Sequence, residues 1–225
     1  INHALYSKVG FDPFKDFAPI TRFTTIPAML IVGPALPVNS VKELIAYLKA
    51  NPGKVSFASA GNGTTSHMAG VLFKNSAGVD IVHVPYKGGG AALTGMLTGE
   101  VQLMIDLMVN VYPQVKAGKL KGLAVTTLNR VPTAPEVPTM DEAGVPGYDI
   151  AATDGIYAPA GTPRAIIDKL NGVLRQALSD PQVKESLGSR GAFPAPGTPE
   201  ELARHIATEM PMWQKLVKES GAKVD

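Results

Sequence analysis

Apolar residues along the chain follow two recurring patterns, short unbroken runs and helical spacings. The runs at 55–58 and 81–84 are typical of buried strands, whereas the spacing 41, 44, 45 and 48 marks one helix face. Ser40 and Glu43 predict a capping box at the start of that helix. The series continues with strands at 101–105 and 120–125 and helices at 65–75, 90–97 and 109–117. Such alternation predicts an α/β layer with a mainly parallel sheet.

The two flanks of this series are less regular. Residues 17–32 predict one strand region, bent or broken by its prolines, and the proline-rich stretch 131–147 predicts a loop with a short helix near 140–143. A strand at 148–158 follows. Three helices come after it: one that begins at Thr162, one at 180–187, and one that begins at the Thr198 capping box and is kinked at Pro211. We expect two lobes, a central one at 33–150 and another from 1–32 and 151–225, with a hinge near 31–33 and 151–155.

Two glycine-rich segments, 59–67 and 86–91, each link a predicted strand to a predicted helix. The first N–H groups of a helix lack internal partners and carry partial positive charge, so two such ends side by side are suited to a carboxylate or phosphate. Ligands of parallel sheets bind beyond the carboxyl ends of the strands. The candidate ligand-binding residues are Ser59, Ala60, Gly61, Asn62, Gly63, Thr64, Thr65, His67, Tyr86, Lys87, Gly88 and Asp106.

Each of these features also has a purely structural interpretation. The glycines fit a tight turn that needs positive φ, and His67 fits a partly buried structural residue. Asp106 either orients a ligand amine or water, or caps the following helix. Tyr86 and Lys87 offer a ring and a charge to an anion, although a solvated lysine at a turn is the commoner case. These alternatives stay open on the sequence alone.

Composition narrows the functional classes. The chain has 225 residues, a formal net charge of +2, 45% hydrophobic residues and no cysteine, which describes a globular protein. The segment 59–67 lacks the third glycine of a dinucleotide motif, and His3, His83 and His205 have no metal-ligand spacing. Basic–aromatic patches, membrane-length apolar runs and a nucleophile–base set are also missing. We therefore expect no metal, no cofactor, no nucleic acid, no membrane embedding and no enzymatic activity.

An ordered series of motifs resembles one known family along the whole chain. The motifs are Asn2-His3-Ala4-Leu5-Tyr6, Asp16-Phe17-Ala18-Pro19-Ile20-Thr21, the segment 59–67, His83-Val84-Pro85-Tyr86-Lys87-Gly88-Gly89, Lys116-Ala117-Gly118-Lys119-Leu120 and Ala158-Pro159-Ala160-Gly161-Thr162-Pro163. They resemble the Bug-type receptors, periplasmic solute-binding proteins of tripartite tricarboxylate transporters. The resemblance implies a two-lobed type II periplasmic-binding fold that closes on a small mono- or dicarboxylate. It also implies a periplasmic location, a membrane transporter partner, and ligand contacts from 61–67, 86–89 and the region of Asp106.

The chain departs from that pattern at two places. The family's opening strand and helix, with a Pro-Gly-Gly loop that grips a ligand carboxylate, are expected to be absent from this chain, which would weaken binding. At the expected hinge Asp154 stands where members usually carry an aromatic residue. Two rival functions are the effector-sensing domain of a transcription regulator with the same fold, and a hydrolase or transferase.

Overall fold

The computed structural model describes residues 1–6 and 8–222, which form an α/β arrangement. The helices of this part are α1 (Asn2–Leu5), α2 (Val41–Ala50), α3 (Thr65–Ala77), α4 (Gly89–Thr98), α5 (Met108–Lys116), α6 (Arg164–Ser179), α7 (Pro181–Gly188) and α8 (Pro199–Ser220). Its strands are β1 (Phe17–Val32), β2 (Ser56–Ser59), β3 (Val82–Pro85), β4 (Leu103–Leu107), β5 (Lys121–Val125), β6 (Ala151–Pro159) and β7 (Phe193–Pro194). The predicted strand–helix alternation between β2 and β5 is confirmed.

The central sheet has the strand order β3-β2-β4-β1-β5. β2 runs parallel to β3 and β4, as the alternation predicts. β1 is antiparallel to both β4 and β5, so the sheet is mixed and the expectation of a mainly parallel sheet is wrong for β1. β1 precedes the strand–helix series and runs through the sheet in the direction opposite to β4 and β5, which the local alternation of strands and helices does not reveal.

β1 takes part in two sets of strand pairs along its length. Its residues 28–32 pair with β4 and β5, whereas residues 17–27 pair with β6 and, near Thr24, with β7. The register shifts twice along the β6 pairing, which confirms the irregular strand region expected at 17–32. The change of partner falls between Pro27 and Ala28, upstream of the crossing expected at 31–33.

Alternating residues of β1 are buried in two different apolar clusters. Leu30 and Val32 join a cluster with α2, α3 and α8 on one face of the central sheet. Met29 and Ile31 join a second cluster with α4 and α5 on the other face. Because helices cover both faces, the carboxyl ends of β2, β3 and β4 and their following turns remain at one edge of the sheet.

Several predicted helix ends differ from the structure. The Thr198–Glu201 capping box is confirmed, and α8 runs from Pro199 to Ser220 past Pro211. The helix expected near 140–143 is a turn, since Gly144 follows with a φ of 100° and ends it. Thr162 does not cap α6, because its hydroxyl donates to the Pro159 carbonyl (2.7 Å) and Pro163 occupies the cap position.

The predicted capping box of α2 forms only in part. The Ser40 hydroxyl accepts from the Glu43 N–H (3.2 Å), as expected. The Glu43 carboxylate accepts instead from the Asn39 N–H (2.8 Å), one residue before the cap. The start of the helix is therefore fixed as predicted, by a slightly different set of bonds.

Candidate functional site

The two glycine-rich segments lie side by side in the structure. They follow β2 and β3, which are parallel neighbours with Ser59 opposite Pro85. The N–H of Tyr86 donates to the Ser59 carbonyl, and the N–H of Gly88 donates to the Ala60 carbonyl, both at 3.0 Å. The N-termini of α3 and α4 consequently face the same edge of the sheet.

Much of the loop 59–67 is hydrogen-bonded to itself. Five of its N–H groups have acceptors within the loop: Ala60 to Ser66 Oγ (2.8 Å), Gly61 to Ser59 Oγ (3.2 Å), Gly63 to His67 Nδ1 (3.2 Å), Thr64 to the Gly61 carbonyl (3.3 Å) and His67 to Thr64 Oγ1 (3.4 Å). Gly61 and Gly63 have φ angles of 133° and 73°, which favour glycine. These groups shape the loop and are not available to a ligand, so for Gly61 and Gly63 the contacts support the turn interpretation.

A second set of N–H groups at the same edge has no acceptor in the described part of the chain. It consists of Thr65 and Ser66 in the first turn of α3 and Gly89, Gly90 and Ala91 in the first turn of α4. The N-cap of α4 is Gly88, with a φ of 101° and no side-chain capping bond. Two helix ends with free donors are thus presented together, an arrangement suited to an anion.

The side chains around these donors differ in their placement. Asn62 and Lys87 are exposed at the rim. The Tyr86 ring packs in the apolar cluster of α4, with its hydroxyl against Gly95, so only its backbone remains at the turn. Burial raises the pKa of this phenol, and the Glu100 carboxylate adds to the effect. Of these three side chains, those of Asn62 and Lys87 are the ones accessible to a ligand at the rim.

Asp106 is the next-to-last residue of β4, and only 3% of its surface is exposed. Its Oδ2 accepts from Asn110 Nδ2 at 3.0 Å and lies 3.0 Å from the place that a Cβ of residue 89 would occupy. Burial raises the pKa of this carboxyl, while the Asn110 amide and the Leu107 N–H oppose the rise. α5 is capped by Leu107 without a side-chain bond, so the capping interpretation of Asp106 is not supported.

His67 and His83 form a stack beside the loop. Their ring centroids are 3.7 Å apart with an interplanar angle of 7°, and Phe57 stacks on His83 at 4.8 Å. Because His67 Nδ1 accepts from Gly63, the proton of the neutral ring is on Nε2. Burial lowers the pKa of both histidines to about 4, and for His67 the neighbouring His83 contributes to this lowering. Both rings are neutral at pH 7, and the contacts support a structural role for His67.

The sequence reasoning missed the contact between Ser59 and His83. Ser59 Oγ lies 2.6 Å from His83 Nε2, because the β2–β3 register places His83 opposite Phe57, two residues from Ser59. Knowledge of that register is the signal that would have found it. Ser59 is fully buried and also bonds to Gly61, and in the described residues no carboxylate bonds to His83. The pair therefore stabilises the loop and lacks the geometry of an accessible nucleophile.

The remaining candidate at the expected hinge, Asp154, lies on β6. It is opposite Thr24, whose hydroxyl donates to Asp154 Oδ2 at 2.7 Å, and the side chain of Asp154 is exposed.

The side chain of His3 lies outside the described residues. Within the described ranges no cluster of three or more His, Cys, Asp or Glu side chains is arranged to hold a metal ion. We also find there no helix whose length and apolar character would let it cross a bilayer.

Comparison with known proteins gives a consistent result. Residues 2–222 match the family described as tripartite tricarboxylate transporter family receptor. A UPF0065 protein from Pseudomonas sp. strain P51 is 37% identical over 220 residues, which is 97% of this chain and 66% of that protein. Protein BugT from Bordetella pertussis is 34% identical and covers 98% of this chain and 68% of that protein. The chain thus spans about two thirds of the length of these relatives.

Solved structures give the same picture. Rpa4515 of R. palustris with adipate matches with a TM-score of 0.89 at 37% identity, and the match covers 98% of this chain and 74% of the Rpa4515 chain. The periplasmic binding protein BugD matches with a TM-score of 0.86 at 37% identity over 99% of this chain and 75% of the BugD chain. MatC of Rhodopseudomonas palustris with bound malate has a TM-score of 0.82 at 33% identity, with 95% and 74% covered. The α/β periplasmic-binding fold expected from the sequence is confirmed.

Proposed function

Since this chain belongs to the tripartite tricarboxylate transporter family of receptors, we propose that it captures a small mono- or dicarboxylate in the periplasm and delivers it to a tripartite membrane transporter. The adipate and malate in two structural neighbours support this ligand class. The transcription-regulator alternative is not favoured, because the matched family consists of transporter receptors. A receptor of this kind binds and releases its ligand without chemical change.

The free donors at the two helix ends are the observation that supports the proposal most strongly. Thr65 and Ser66 on α3 and the three residues 89–91 on α4 offer N–H groups without acceptors in the described residues. A hydrogen bond to a charged group contributes about 1.5–3 kcal/mol, and the helix dipole adds about 0.3–1 kcal/mol. A ligand carboxylate that accepts two or three of these bonds gains enough free energy for specific binding in water.

We also propose that two lobes move relative to each other during binding, one built on the central sheet that includes residues 28–32 of β1, and one that contains residues 17–27 of β1 and β6. Two chain passages would form the hinge, at Pro27–Ala28 and Ile150–Ala151. Thr126 ties them together, because its hydroxyl accepts from the Ala28 N–H (3.0 Å) and donates to the Ile150 carbonyl (2.6 Å). Closure about these passages would enclose a ligand held at α3 and α4.

Substitution at Thr65 tests the proposed function without loss of the loop. Proline is tolerated at the first helical position, and the Thr64 backbone (φ −73°, ψ 163°) is compatible with a following proline. Thr65→Pro removes one free N–H, whereas the matched control Thr65→Ala keeps it. Calorimetry with adipate and with malate should show affinity reduced about 10–100-fold in Thr65→Pro and nearly unchanged in Thr65→Ala, by the magnitude of one charge-assisted bond. Absence of binding of either acid by the unmodified chain, or equal affinity in both variants, would contradict the proposal.

A further inference from the structure

Asp106 occupies an unusual position for a site that receives anions. Its carboxyl group is almost fully buried and lies against Gly89, the first residue of α4, whose N–H has no acceptor in the described residues. By ordinary bond lengths, a ligand oxygen that accepts from Gly89 would lie within about 9 Å of Asp106 Oδ2. Because the Asp106 charge is buried, its repulsion of a ligand carboxylate is screened less by water and salt than that between two exposed charges.

No positively charged side chain acts on Asp106 within the described residues, so only the partial positive charge of the first turn of α4 offsets a second negative charge. From α5 the side chain of Asn110 faces the carboxyl, from α4 the backbone of Gly89 does, and Met29 of β1 is its strand partner. In the described residues, the groups that influence this carboxyl are Asn110 and the Leu107 N–H, and no Lys, Arg or His is among them. Burial already raises the pKa of Asp106 in the free protein, and a nearby ligand carboxylate would raise it further.

We propose that the protein binds its carboxylate ligand together with one proton, which is held on the carboxyl group of Asp106. The proton comes from water, so the bound state carries one proton more than the free protein and free ligand. Protonated Asp106 no longer repels the ligand and has an O–H to donate, as neutral carboxylic acids do in other buried anion sites. This inference rests on the proposed function and adds to it a selectivity for fully ionised acids that lack a basic group.

The experiment is calorimetric binding of adipate and of malate between pH 6.5 and 8.5. In this range ordinary carboxylates are ionised and the His67 and His83 rings are neutral, because their pKa values are lowered to about 4. The variants are Asp106→Asn, which keeps the shape of the side chain without a titratable group, and the matched control Asp154→Asn on exposed β6. The comparison between variants separates Asp106 from every other group that titrates in the range.

We expect the affinity of the unmodified protein to fall with rising pH, by up to about tenfold per pH unit. The Asp154→Asn control should show the same dependence of affinity on pH. In Asp106→Asn this dependence should disappear, and the variant should bind more tightly than the unmodified protein at pH 8.5. Equal slopes in all three proteins would overturn the inference and leave the proposed function intact. Loss of malate binding alone in Asp106→Asn would also overturn it, because an ionised Asp106 would then be accepting from the malate hydroxyl. Failure of both acids to bind at any pH would refute the proposed function itself.

Discussion

Gly63 provides a quantitative test of the structural part of the site. It has a φ of 73°, and an added Cβ would overlap Cδ2 of Leu5. Leu5 is 6% exposed and belongs to the apolar cluster of α2, α3 and α8. The left-handed conformation costs an alanine about 1–2 kcal/mol. Displacement of the Leu5 side chain from its packed position adds about 1–3 kcal/mol. We therefore expect Gly63→Ala to lower the free energy of unfolding by about 2–5 kcal/mol.

Gly78 offers the matched control for this substitution. It has a similar φ of 60° at the end of α3, but a Cβ there would meet nothing within 4 Å. Gly78→Ala should cost only the backbone term, about 1–2 kcal/mol. Urea denaturation of both variants measures the difference. Equal destabilisation by the two substitutions would refute the contact with Leu5.

The same variant distinguishes the structural from the ligand-contacting role of Gly63. Its N–H donates to His67 Nδ1 and is not free for a ligand. The folded fraction of Gly63→Ala should consequently bind adipate or malate with nearly unchanged affinity. A marked loss of affinity with unchanged stability would show that Gly63 contacts the ligand.

Three further predictions concern other parts of the molecule. Because burial lowers the pKa of His67 and His83 to about 4, the unfolded chain binds more protons than the folded protein between pH 6.5 and 4. Denaturation at several pH values should show that the contribution of the two rings to the free energy of unfolding is complete above pH 6.5 and falls by up to about 1.4 kcal/mol per pH unit per histidine below it. A free energy of unfolding that stays constant over this range would contradict the buried stack. Thr126→Val should lower the free energy of unfolding by about 1–3 kcal/mol, since it leaves the Ala28 N–H without its acceptor. The control Thr126→Ser keeps the hydroxyl and should retain most of the stability in denaturant unfolding. Equal losses in the two variants would contradict the role of this hydrogen bond. Asp154→Asn should leave the affinities for adipate and malate unchanged in a titration, because the side chain is exposed; an affinity change for either acid would place this carboxylate in the binding site.

Local patterns in the sequence predicted the features that depend on nearby residues. The helix starts at Ser40 and Thr198 and the strands on either side of the glycine segments follow from capping chemistry and apolar runs. The direction of β1 and its change of partner at Pro27–Ala28 depend on contacts between distant segments, which no local pattern records. The helix expected near 140–143 did not form because the left-handed Gly144 ends the turn at once.

The site shows the same division between local and distant information. The glycine segments and their placement at helix starts were visible in the sequence. The stack of His67 on His83 was not, because it depends on the register of two strands. The distinction between donors that bond within the loop and donors that stay free also needs the folded geometry, since both kinds occur in adjacent residues such as Thr64 and Thr65.

The most direct test of the account is a map of backbone amide shifts by nuclear magnetic resonance as adipate or malate is added. We propose that the ligand carboxylate accepts from the first turns of α3 and α4. The amide signals of Thr65, Ser66 and residues 89–91 should therefore move most, with much smaller shifts at Gly61 and Gly63, whose N–H groups are already bonded. Binding with the largest shifts elsewhere, and none at these five amides, would contradict the account.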